Sequence, residues 1–91
     1  MKETILFSVK LNEFHKENST SRRYIGGVLC KKRPWELRII RYSSHKSVYL
    51  IEYDENGEEI IDTFHDDTGE AMKQAEFDWS VKKSDWIPHS H

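Results

Sequence analysis

Residues 48–65 read VYLIEYDENGEEIIDTFH. The two flanks, residues 48–53 and 58–65, are rich in β-branched and aromatic side chains, as strands are. Between them Asp54-Glu55-Asn56-Gly57 is a turn, because asparagine and glycine accept positive φ. The stretch is therefore a β-hairpin. A two-residue Asn56-Gly57 turn would set Glu55 opposite Glu58 and Asp54 opposite Glu59, like charge on like charge. A three-residue Glu55-Asn56-Gly57 loop with a glycine bulge pairs Ile51 with Ile61 and Val48 with Phe64, and is expected instead. The two registers put different side chains on each face, so the sequence leaves the core face of this hairpin open.

Upstream, residues 35–42 (WELRIIRY) alternate, with Trp35, Leu37 and Ile39 on one face and Glu36, Arg38, Ile40 and Tyr42 on the other. Residues 4–11 (TILFSVKL) form a first strand, and residues 12–21 a polar loop. Residues 24–30 (YIGGVLC) read as a strand interrupted at Gly26-Gly27 by a bulge or a close backbone approach. Pro34 belongs at a strand start or an edge, and residues 43–47 form a turn.

Downstream, residues 68–81 read as a helix of about 21 Å. Asp67 is its N-cap, with Glu70 three residues on. Ala71, Met72, Ala75 and Trp79 fall on one stripe; Phe77 and Val81 fall on another. Two apolar stripes need two covers: the sheet for one, and the Asp85-Trp86-Ile87-Pro88 tail or a partner for the other.

Strands followed by a helix define an α+β fold: a twisted, mostly antiparallel sheet of four or five strands with one C-terminal helix packed on a face. The expected core is Ile5, Phe7, Val9, Leu37, Ile39, Leu50, Ile51, Ile61, Met72, Ala75 and Trp79. The 91 residues make a single domain, residues 1–91. One cysteine, Cys30, excludes an internal disulfide and fits a reducing compartment. No signal-peptide pattern or membrane-length run is present, so a cytoplasmic protein is expected.

Charge is unevenly laid out. Residues 22–46 carry eight basic side chains against Glu36, a net +7; residues 47–91 carry twelve acids against Lys73, Lys82 and Lys83, a net −9. Such fields steer partners and do not set the fold. Two binding roles follow. In the first, Glu55, Glu58, Glu59 and Asp62 meet a basic protein surface, as an inhibitor of a cationic partner would. In the second, Arg22, Arg23, Lys31, Lys32, Arg33, Arg38 and Arg41, interleaved with Tyr24, Trp35 and Tyr42, contact nucleic acid. Self-association through a sheet edge is a third route to a partner.

Catalysis is not expected. His65-Asp66-Asp67 is the tightest polar cluster, but neighbours in sequence point apart and Asp67 caps the helix. His15 and His45 sit in separate polar loops, and no Cys/His signature surrounds Cys30. Gly26-Gly27 lacks the context of a phosphate loop. The chain is read as a non-enzyme without metal or cofactor.

About the last 30 residues carry Asp62-Thr63-Phe64-His65, Glu70-Ala71, Gln74-Ala75-Glu76-Phe77, and Val81 through Trp86. This pattern resembles a group of small uncharacterised bacterial proteins. In these a strand ending D-T-x-H precedes a helix with Q-A-E-aromatic-acid, then V and W. Some proteins of this build look like toxin-neutralising immunity proteins. The resemblance implies strands followed by a helix, and assigns no catalytic residue.

Overall fold

The computed structural model describes residues 3–18, 20, 22–30, 32–42 and 46–89. Its strands are β1 (Glu3–Lys10), β2 (Tyr24–Ile25), β3 (Val28–Leu29), β4 (Glu36–Tyr42), β5 (Val48–Tyr53), β6 (Glu59–His65) and β7 (Ile87–Pro88); one helix, α1, spans Thr68–Trp79. Five strands pair in the order β6-β5-β4-β1-β7, all antiparallel. With α1 packed on this sheet the fold is α+β, as expected.

The β5–β6 turn is the three-residue loop. Asp54 N–H donates to Glu58 O at 2.9 Å and Gly57 N–H to Asp54 O at 3.0 Å, with Gly57 at φ +79°. Tyr53 faces Glu59, as that loop requires. The register then shifts by one residue before Ile61: Glu52 faces Ile61, Ile51 faces Asp62, Leu50 faces Thr63 and Val48 faces His65. This corrects the expected Ile51–Ile61 and Val48–Phe64 pairs. The shift brings Phe64 beside Tyr49, edge-to-face at 5.5 Å on the face away from α1. The bulge turns Asp62 and Phe64 to that face and puts Ile61, Thr63 and His65 on the helix side.

Between sheet and helix lie Val9, Leu37, Ile39, Val48, Leu50, Ala71, Ala75 and Trp79, joined by Val81 and Trp86 from the tail. Small Ala71 and Ala75 let the helix approach the sheet, and Trp79 fills the space at its C-terminal end, 1 % exposed. Asp67 caps α1 by accepting from Glu70 N–H at 2.9 Å. The helix stops at Ser80, which adopts φ +60°. Val81 therefore leaves the helix and joins the same core as Trp79. Phe77 stays 51 % exposed, so the tail does not cover it.

Three further expectations change. Gly26 and Gly27, at φ +57° and +82°, form a tight turn, so residues 24–30 fold as the β2–β3 hairpin rather than one bulged strand. Trp35 precedes β4 and is 52 % exposed, apart from Leu37 and Ile39. The sheet also has a second apolar cluster, on the face away from α1: Ile40, Ile51 and Tyr53, with Ile5, Tyr42 and Tyr49 against them. Ile61 is only partly buried, and Ile40, Val48, Ala71, Val81 and Trp86 join the core unanticipated. The turn at 43–47 lies largely outside the described residues, as does His45.

Candidate interaction surface

Much of the basic segment is engaged in contacts within the fold. Arg23 reaches across the helix side to Glu52, Nε to Oε2 at 2.8 Å and Nη2 to Oε1 at 2.7 Å, both side chains less than a tenth exposed. Its guanidinium also covers the Trp79 ring at 4.7 Å and donates to Lys32 O at 2.7 Å. Arg33 donates to His15 O and Asn12 O, both at 2.7 Å. Lys32 donates to Asp54 Oδ2 at 3.0 Å. Arg38 pairs with Glu36 at 3.2 Å and lies 4.4 Å over Tyr53. Arg41 is half-buried, and its Nε has no partner. Arg22 is exposed, and Lys31 lies outside the described residues. Four of the seven cations nominated for nucleic acid are thus engaged within the fold: Arg23 and Lys32 tie the 12–35 segment to β5 and its turn, Arg33 holds the 12–15 loop and covers Trp79 at 5.7 Å, and Arg38 pairs within β4.

The acids behave differently. Glu55, Glu58, Glu59 and Asp62 are all exposed, and none forms an ion pair within 4 Å among the described residues. Glu55 and Glu58 flank the hairpin turn. Glu59 and Asp62 project with Tyr53 and Ile51 from the face away from α1. Beside them runs an aromatic row that the sequence reading missed. Tyr42 meets Tyr49 edge-to-face at 5.4 Å, and Tyr49 meets Phe64 at 5.5 Å. Phe64 ends the row, 57 % exposed. The alternation of Asp62 and Phe64 was the available signal, but it could not be placed on a face before the bulge was known. Burial pushes the Tyr53 hydroxyl up to about 12 against the opposing charge of Arg38, and burial, then Glu3, Glu59 and Asp62, raises that of Tyr42.

Polar groups elsewhere are engaged structurally. Asn12 N–H donates to His15 Nδ1 at 3.0 Å, so Nε2 carries the hydrogen it gives Asp85 Oδ2 at 3.0 Å. With both ring nitrogens bound, buried His15 fastens the 12–15 turn to Asp85. A cavity of about 510 Å3 lies beside His15, Arg33 and Trp35, and Glu13, Lys16 and Glu55 also line it. Asp67 is bound as the helix cap and His65 Nε2 bonds Thr63 Oγ1 at 2.7 Å. Among the described residues no group of three His, Cys, Asp or Glu converges as a metal set would. Cys30 is partly buried against Arg23, 3.6 Å from Nη2.

No described helix is long and apolar enough to cross a membrane. Comparison with known protein families, with characterised proteins and with solved structures gives no match.

Proposed function

We propose that this protein is a binding module for a partner of basic surface, of the inhibitor type, working by charge and shape complementarity rather than catalysis. One observation carries the reading. The cations of residues 22–46 are largely engaged within the fold, whereas Glu55, Glu58, Glu59 and Asp62 stand exposed and unpaired on one hairpin. The charge available to a partner at this end of the molecule is therefore negative, and it steers cationic surfaces. A nucleic-acid role through Arg22, Arg23, Lys31, Lys32, Arg33, Arg38 and Arg41 draws less support, because Arg23, Arg33 and Arg38 leave few donors for phosphate.

The test compares capture by the wild-type chain and by the E58K/E59K/D62K variant from a bacterial lysate, at low and high salt. The expected result is a basic protein held by the wild type at low salt only and absent from the variant. Equal retention by both chains, or recovery of nuclease-sensitive nucleic acid, would overturn the reading.

A further inference from the structure

We infer that the basic partner docks as an added β-strand on the free edge of β6, with lysine or arginine above Glu59 and Asp62 and apolar side chains in the groove beside Phe77. This rests on the reading above and supplies its mode of contact.

The sheet order leaves β6 outermost, bonded to β5 on one side only. Its seven residues present backbone donors and acceptors along the other side. The opposite edge differs: it is the two-residue β7, whose Pro88 has no N–H to offer. An edge of seven residues is long enough to template an incoming strand.

The surroundings of β6 match the two faces of such a strand. On the helix side a groove of about 360 Å3 runs between β6, α1 and the base of the β2–β3 hairpin, lined by the apolar Ile61, Phe77 and Tyr24 together with polar residues that include Arg22, Arg23 and Asp78. Phe77 and Tyr24 are half exposed there, at 51 % and 55 %. On the other side Phe64 lies open beside Asp62, with Glu59 further along. Side chains of an added strand alternate between these faces. One set enters this mixed groove beside Phe77 and Tyr24; the other meets carboxylates and an aromatic ring, a setting that attracts lysine and arginine.

Charge also selects against a second copy of this chain. Pairing two β6 strands antiparallel about Asp62 sets Asp62 directly against Asp62, which is unfavourable. The same carboxylates that guard the edge against self-pairing favour a cationic strand.

The experiment titrates the isotope-labelled full chain with a peptide of alternating lysine and valine, seven residues long like β6. A second peptide of identical sequence is N-methylated at alternate residues, so it keeps its charge but cannot pair. The expected result is shifts centred on residues 59–65 and Phe77, slowed exchange of β6 amides, and binding of the methylated peptide weaker by about tenfold. Equal binding of the two peptides would overturn strand addition while leaving charge recognition intact. Binding of neither, or a dimer already protecting the β6 amides in the free protein, would overturn it as well. The lysate comparison decides the parent reading separately.

Discussion

Glu52 shows how a charge buried in this fold is tolerated. Burial pushes its carboxyl up, opposed chiefly by the Arg23 bond. A desolvated pair of this kind adds little net stability, yet removing one partner strands the other. Glu52→Ala is expected to lower unfolding free energy by about 3 kcal/mol in urea melts, while E52L/R23M recovers most of the loss. Equal stability of Glu52→Ala and wild type would mean that Arg23 is hydrated. The aspartates run the other way. The Lys32 bond, then the Glu58 and Asn56 amides, hold Asp54 below the usual carboxylate range. The Lys82 amide and then His15 do so for Asp85. Their folded pKa values lie below the unfolded ones, so their contribution is complete above about pH 5 and lost as pH falls further. Glu52, shifted upward, contributes in the opposite sense and offsets part of that loss. Asp54→Asn should flatten the fall in stability between about pH 5 and pH 2. An unchanged slope would remove Asp54 from the account. None of these partners was legible beforehand, because Arg23 and Glu52 lie far apart in sequence and nothing in a charge run says which member turns inward.

The elements were more legible where local chemistry acts alone. Asp67 was readable as a cap, and Asp67→Ala is expected to cost about 1 kcal/mol by thermal or urea unfolding. Gly57 holds φ +79° with open space around it, so Gly57→Ala should cost about 1 kcal/mol through backbone strain alone. A Gly57→Ala variant as stable as wild type would contradict the turn geometry. The same reading failed three residues later, at Ile60. The bulge before Ile61 goes with the packing of Phe64 on Tyr49, a contact between strands that the run Glu58-Glu59-Ile60-Ile61 does not encode. Gly26-Gly27 was seen as a disturbance, but two consecutive glycines can make a whole turn; the sequence offered both and only packing chose. Phe77 and Val81, one turn apart in sequence, separate because the helix ends at Ser80.

Across the whole molecule, the uneven charge seen in the sequence resolves into two roles. Arg23, Lys32 and Arg33 bind the 12–35 segment to the sheet and helix, and Glu55, Glu58, Glu59 and Asp62 remain outside. The α+β layout and the order of elements were legible, because strands and helix follow one another without long-range insertion. The face away from α1 was not, because its Tyr42–Tyr49–Phe64 row assembles from three strands in a register that a bulge controls. The central claim is that the exposed acids of this hairpin steer a basic partner. Its most direct test is the association rate of the captured partner with wild type and with E58K/E59K/D62K across ionic strength. The account predicts a wild-type rate that falls steeply with salt, and a variant that associates at least about tenfold more slowly at low salt with a shallow dependence. Matching rates and matching salt slopes for the two chains would contradict it.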